Sequence, residues 1–346
     1  VSGTGEVPGL QANQFYGKDT PIAVTLTPTK VPVEKVELNK TSLSLEAGKT
    51  ETLVATVSPN DATDKNVTWS SNNTSVATVD NGVVTAVGAG SATITVTTVD
   101  GGKTAECTVT VTKPSYIPGT FSVSGTKTVE FASGNLYYDG TTDNKWKFEA
   151  NQWDFRTYNG KGSCIDGTYD KDKGTPTNDW GLFGWSTLST DYGKNTSDNN
   201  STYSGDFKDW GDIAGLPSAG EGKTWSTLTK NEWNYLLNTR DKASSLFAWV
   251  TLDNNVPGLV ILPDNSTTTA SSVTTKALVV SSGAVFLPAS GYRSGTDVGY
   301  VGSYGYYWSS TLHSGTDYAY SMYFSSDGAH TDGSYRYFGH AVRLVR

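Results

Sequence analysis

The run Gly291–Arg346 reads GYRSGTDVGYVGSYGYYWSSTLHSGTDYAYSMYFSSDGAHTDGSYRYFGHAVRLVR, and it decides how the second half of the chain is understood. These 56 residues hold 10 of the 19 Tyr and all three His, namely His313, His330 and His340. They contain no Lys, Glu, Gln or Asn. Their four Asp and four Arg cancel, although the whole chain stands at −8. A surface whose only task is solubility is written in Lys and Glu. A contact surface uses Tyr, a large rigid amphipathic ring with two χ angles to freeze, among adaptable Ser and Gly. The segment therefore reads as a binding face. Tyr306, Tyr307 and Trp308 form an unbroken aromatic run and read as core. The tyrosines interleaved with Ser, Gly and Asp read as contact residues.

A chain of 346 residues is long enough for two or three domains, each with its own core. Only 17% of residues are charged, and Gly, Ser, Thr, Asn and Tyr are plentiful, as in exported β-proteins. An isoelectric point near 4.9 argues against nucleic acid, since no basic stripe exists to release counterions. No apolar run approaches the ~18 residues of a membrane-crossing helix. The chain opens at Val1, so a leader removed upstream is expected. Cys107 and Cys164 are the only cysteines; they fall in different expected domains and lack CxxC or zinc-knuckle neighbours. Cys107, in the alternating run Glu106-Cys107-Thr108-Val109, reads as a small buried hydrophobe.

Residues 1–33 are rich in Gly, Pro and Thr, with one alternation at Ile22, Val24 and Leu26. They read as an extended arm that pairs with a sheet edge, a contact for an assembly partner, or as a flexible leader. Residues 34–112 alternate apolar and polar at period two, as in Leu53-Ala55-Val57, Ala92-Ile94-Val96 and Cys107-Val109-Val111. Turn residues such as Ala47-Gly48, Asp80-Asn81-Gly82 and Asp100-Gly101-Gly102 punctuate them. That spacing signals an antiparallel sandwich of about seven strands. Thr41-Ser42-Leu43-Ser44-Leu45, Val67-Thr68-Trp69-Ser70-Ser71-Asn72, Val76-Ala77-Thr78-Val79 and Gly88-Ala89-Gly90-Ser91-Ala92-Thr93-Ile94 closely resemble a bacterial Ig-like domain of group 2. Such domains are mostly spacers and stalks on exported proteins and phage virions. The resemblance thus implies a stalk without chemistry.

Lys113–Thr120, with Pro114 and Pro118, reads as a stiff linker, and 121–346 as a second domain carrying nine of the ten Trp. Thr229 and Glu232 form a capping box that opens a helix with Trp233, Leu236 and Leu237 on one stripe. Long Gly/Asn/Asp/Ser loops occupy 157–224, and Trp180, Trp185, Trp210 and Trp225 read as the anchors that pin them. Phe131-Ala132-Ser133-Gly134-Asn135-Leu136, Leu182-Phe183-Gly184-Trp185, Trp225-Ser226-Thr227-Leu228-Thr229-Lys230-Asn231-Glu232-Trp233, Phe286-Leu287-Pro288-Ala289-Ser290-Gly291-Tyr292-Arg293, Gly305-Tyr306-Tyr307-Trp308-Ser309-Ser310-Thr311 and Ala341-Val342-Arg343-Leu344-Val345-Arg346 form one series. It resembles a domain widespread in gut Bacteroidetes and their phages, with the C-type-lectin-like fold in the branch shared with formylglycine-generating enzymes. The fold class expected is mainly β: an Ig-like β-sandwich followed by an α+β C-type-lectin-like domain.

Some members of that family are variable proteins of diversity-generating retroelements, in which adenines near the gene's end are rewritten. A template AAC codon can become Tyr, Ser, Gly, Asp, His, Ala, Phe, Leu or Arg, but not Lys, Glu, Gln, Met or Trp. The resemblance then implies a diversified ligand-binding face. It would be carried by Ser294, Gly299, Tyr300, Tyr304, Leu312, His313, Ser321, Tyr323, Ala329, His330, Asp332, Ser334, Tyr335, Tyr337 and Phe338, lying between fixed frames. A non-diversified member would use the same residues to line a fixed site.

An enzyme is the rival class. Formylglycine-generating relatives need a reactive cysteine pair near the C-terminus, and this chain has no Cys after Cys164. The three His lack metal-ligand spacing, and no Glu follows Glu232 to serve as an acid–base partner. No GxSxG elbow occurs. Sugar-binding calcium in C-type lectins uses an EPN- or QPD-like loop, absent here. No catalytic residue, metal or cofactor is therefore assigned. The expectation is a non-enzymatic adhesin or receptor-binding tip that takes a protein or glycan ligand. Its place would be extracellular, on a bacterial cell surface or pilus, or on a phage virion. A structural decoration protein is the alternative.

Overall fold

The computed structural model describes residues 29–142, 145–159, 162–165, 168–169 and 178–346. The chain divides between Lys113 and Pro114 into two compact units. The alternation at Ile22, Val24 and Leu26, and most of the expected arm, lie outside the described residues.

The first unit is built of short strands whose burial alternates as the sequence does. Along Thr104–Thr112 every second side chain is buried from Cys107 onward. This strand pairs antiparallel with Gly90–Thr98, which pairs with Val67–Ser71. Ser42–Glu46 lies on its other side and runs parallel to it, a departure from the all-antiparallel expectation. A second sheet orders Thr50–Thr52, Val83–Ala86 and Ala77–Asp80. Leu43, Leu53, Val84, Ile94, Cys107 and Val109 fill the space between. Trp69 is only partly buried against this core.

The second unit is mainly β, with little regular structure for its size. One sheet orders Phe247–Leu252, Val256–Ile261 and Val285–Pro288; another orders Gly305–Leu312, Tyr318–Ser325 and Gly328–Tyr335. The helix starts at Lys230, where both arms of the Thr229/Glu232 capping box form, and Trp233, Leu236 and Leu237 are buried along it and its continuation. The loop tryptophans act as anchors. Trp185, Trp210 and Trp225 are buried, and each indole N–H donates to a backbone carbonyl, of Ser309, Tyr192 and Pro217, at 3.0, 2.9 and 2.7 Å. Trp180 instead stays partly exposed against Tyr158.

The expected 113–120 linker is shorter than its composition suggests. Ile117 is buried, its N–H donates to Phe131 O at 2.7 Å, and Ser115 O accepts from Ser133 N–H at 2.8 Å. Residues from Pro114 onward belong to the second unit, because a buried Ile and paired backbone groups outweigh the two prolines.

The chain's last residues are interior. Ala132 N–H donates to Leu344 O, Leu136 N–H to Val342 O, and Val345 and Ser226 exchange both backbone bonds. Val342 and Leu344 enter the core formed with Trp185, Trp210 and Trp308; Val345 enters the one formed with Phe131, Trp233 and Met322. Arg343 is buried between, and its guanidinium reaches Asn135 Oδ1 (3.0 Å), Ala132 O (2.8 Å) and Phe286 O (2.7 Å). Burial of each apolar side chain is worth about 1.5–3 kcal/mol. Three of them approach the ~5–15 kcal/mol of a whole domain. A chain ending at His340 is therefore expected to lose the second unit's cooperative melting transition while keeping the first unit's. Calorimetry of the shortened chain measures both, and a retained second transition would show that the terminus is dispensable.

Candidate ligand-binding face

The sheet at Gly305–Leu312, Tyr318–Ser325 and Gly328–Tyr335 has two unlike sides. Tyr307 pairs with Met322 and Gly305 with Phe324, and these side chains face the core. Tyr306 pairs with Tyr323, and Tyr323 with His330, so these three share the opposite side. The unbroken aromatic run is thus split. Tyr307 and Trp308 are buried as expected, but Tyr306 is only half-buried and stands on the outer side, a correction to its reading as core. Period two sets Tyr306 with Tyr304 and apart from Tyr307, while Trp308, on the side of Tyr306, is buried with Phe183, Trp185 and Val342.

Tyr292, Tyr300, Tyr304, Tyr306, Tyr323 and Phe338 surround an open cavity of about 330 Å³, with Ser334 and His340 completing its lining. The rings meet at varied angles: Tyr292 stands 79° to Tyr306 and 49° to Phe338 but only 18° to Tyr300, and Tyr300 stands 68° to Tyr304. Tyr304 and Tyr323 lie more nearly parallel, with centroids 5.6 Å apart. Two backbone features hold this cup. Gly291 has φ +69°, and a Cβ there would lie 2.1 Å from Gly299 O, so only glycine lets the two segments approach. Tyr300 itself adopts φ +60°, an uncommon conformation for a side chain of its size, and is 57% exposed.

His340 lies wholly buried beneath the cup. Its Nε2 shares a 2.7 Å hydrogen bond with Ser334 Oγ, and its ring stacks on Tyr306 at 4.9 Å. Burial depresses its pKa from 6.5 to about 3, so it is neutral at ordinary pH. It is a structural hydrogen-bonding residue.

The fifteen expected site residues do not form one surface. Tyr300, Tyr304, Tyr323, Ser334 and Phe338 line the cup, and His330 stands exposed beside Tyr323 at 4.8 Å. Tyr335 and Tyr337 extend the aromatic surface from Phe338, stacking at 5.3 Å. Ser294 and Gly299 are partly buried in the hairpin that carries Tyr292, and Asp332 is exposed on the outer side of the sheet. Leu312 is exposed past a bulge, and His313 packs on Tyr318 and Tyr320 on the sheet's other side. Two residues are corrected. Ser321 lies on the same side of its strand as Tyr323 but is buried opposite Trp308, whereas Ala329, opposite Phe324, is turned by strand alternation toward the core. Tyr292, Tyr306 and His340 complete the lining and were absent from the expected set.

The charge balance of 291–346 also changes once burial is known. Arg293, Arg336 and Arg343 are buried, and the Arg346 side chain is 1% exposed. Asp297, Asp317, Asp327 and Asp332 are all exposed. The segment's net zero is therefore an acidic surface over a cationic interior.

Residues 32–109 match the bacterial Ig-like domain (group 2) family, and residues 261–345, which include the cup, match a family described as "Domain of unknown function (DUF8237)". The first unit is a bacterial Ig-like domain. Lacto-N-biosidase from Bifidobacterium bifidum is 49% identical over 105 residues, 30% of this chain and 9% of that protein. An Ig-like virion protein of Serratia phage KSP90 is 40% identical over 90 residues, 25% of this chain and 35% of the phage protein. Similarity to glycosidases falls on the Ig-like domain only. The chain spans 9%, 8% and 8% of the length of the first curated relatives it matches. Among solved structures, domains 4 and 5 of the S-layer protein SbsC align with a TM-score of 0.21 at 27% identity, over 23% of this chain and 51% of that one.

The buried His340 gives the second unit a defined pH response. Its folded pKa lies below the unfolded value, so its stabilising contribution is complete above pH 6.5 and is lost as pH falls toward 3. The loss is up to roughly 1.4 kcal/mol per pH unit in that window. Melting temperatures of the second unit measured from pH 8 to pH 4 should fall more steeply than those of His340→Gln. Parallel curves would assign the acid response to other groups.

Proposed function

We propose that this chain is a non-enzymatic surface recognition protein, whose second unit presents an aromatic ligand-binding face and whose Ig-like unit serves as its stalk. One observation carries the reading. Five tyrosines and a phenylalanine converge from separate segments on an open cavity, instead of filling the core. Exposed apolar surface gathered this way marks an interaction site. Tyr is also the residue most used for adaptable contact. The ligand is a protein or a glycan, and the protein is exposed on a bacterial surface or a virion; the similarity to an Ig-like virion protein supports the second setting.

The finer parts belong to the same proposal. The second unit is read as a C-type-lectin-like domain, in line with a terminal segment that pairs back on residues 130–136 near the unit's start. The face is read as diversified. Support for this is that Tyr300, Tyr304, Tyr323, Ser334, Tyr335, Tyr337 and Phe338 are at least partly solvent-facing, while Tyr307, Trp308, Val342 and Leu344 hold the frame from inside.

Replacing Tyr304, Tyr323, Tyr335 or Tyr337, all half-buried, singly by Ser should leave stability within about 1 kcal/mol if the frame does not depend on them. Binding to the ligand found on a glycan and protein array should weaken by about 2 kcal/mol or more where the ring is a hot spot. Large losses of melting temperature in most of the four would make them core residues and end the recognition reading.

A further inference from the structure

We infer that the aromatic cup is a cation cage, built to take a quaternary ammonium group. The inference rests on the recognition reading and names the chemistry of its ligand.

Three observations converge. The first is the lining. It consists of five Tyr, one Phe, one Ser and the buried His340, with no carboxylate, amide, Lys or Arg. A sugar needs directional donors and acceptors for paired hydroxyls, which Asp, Asn, Glu and Arg supply best. The second is the geometry. Tyr292 and Tyr300 (18°) and Tyr304 and Tyr323 (25°) form two nearly parallel pairs, but Tyr292 stands 79° to Tyr306 and Tyr300 68° to Tyr304, so the rings bound a volume from several directions instead of forming one flat platform for a pyranose. An aromatic box presents ring quadrupoles to a tetrahedral alkylammonium from several sides.

The third is charge. No Arg of 291–346 reaches the surface, while four Asp do. Arg293 follows Tyr292 in the strand and so points to the opposite side. Its guanidinium is buried, donating to Leu182 O at 3.2 Å and Gly295 O at 2.7 Å. His340, at the base, is occupied by Ser334 at 2.7 Å. An anion would therefore meet no fixed positive charge in the lining, whereas a cation meets π faces. A cavity of about 330 Å³ holds such a group with part of its carrier.

The test is titration calorimetry of the full chain with choline, with Nα-acetyl-trimethyllysine, and with 3,3-dimethylbutan-1-ol, the uncharged carbon isostere of choline. Saturable binding of a cationic probe, about tenfold tighter than the isostere, is expected. The tighter of the two cations tells a free headgroup from a protein side chain. Tyr306→Phe, which keeps the ring, should hold that affinity, and Tyr306→Leu should reduce it by about tenfold. Equal binding of choline and its isostere, or no saturable binding of either cation, would overturn the cage. So would equal losses in the two variants. The array ligand then separates the two ideas. A ligand lost in Tyr306→Leu leaves the recognition face standing with another occupant; no ligand sensitive to it removes that reading as well.

Discussion

The second unit depends on one buried cation. Arg343 donates to Asn135, Ala132 and Phe286, groups 57 to 211 positions away in sequence. Asn135 in turn donates to the Tyr307 hydroxyl at 3.0 Å, and that hydroxyl donates to Pro288 O at 3.1 Å. The start of the unit, two of its sheets and its last segment are thereby tied into one network. Burial pulls the Arg343 pKa down to about 10, which leaves the guanidinium charged at neutral pH. Its five fixed donors suit carbonyls that no strand neighbour can reach.

The same solution recurs. Arg240 donates to Leu262 O and Arg336 to Tyr203 O, and Arg346 lies over the Tyr116 ring with Glu130 at 2.6 Å. A unit with short strands and long loops has many backbone carbonyls outside any ladder, and each needs a donor when buried. Arginine and the tryptophan indoles provide them.

Much of this was legible in the sequence, unevenly. The Ig-like strands were, because period-two alternation directly encodes which side of a sheet is dry. The helix start was, because Thr229 and Glu232 satisfy each other locally. The tryptophan anchors were, since large rings in Gly-rich loops have few other uses. The placement of the arginines was not. A sequence shows charge but not the unpaired carbonyls that bury it, so Arg293 and Arg343 entered only as charges that cancel the aspartates. The cup was half legible. Its Tyr-rich composition announced a face, yet Tyr292 sits beside Arg293 in what read as a fixed frame, Ala329 was misplaced because the alternation of its strand was not followed, and Ser321 lies on the outer side but is covered there, which no local pattern shows.

The interior position of the last segment also orders events in time. Val342, Leu344 and Val345 complete two cores, and Arg343 completes the network that joins them. During synthesis the Ig-like unit has all its strands by Thr112 and can fold as soon as it emerges. The second unit cannot close until residues 341–346 have left the ribosome. Until then its aromatic segments are unsatisfied together, in a nascent chain whose neighbour is already native. The second unit is therefore a half-folded species through most of its own synthesis, until residues 341–346 are available to it.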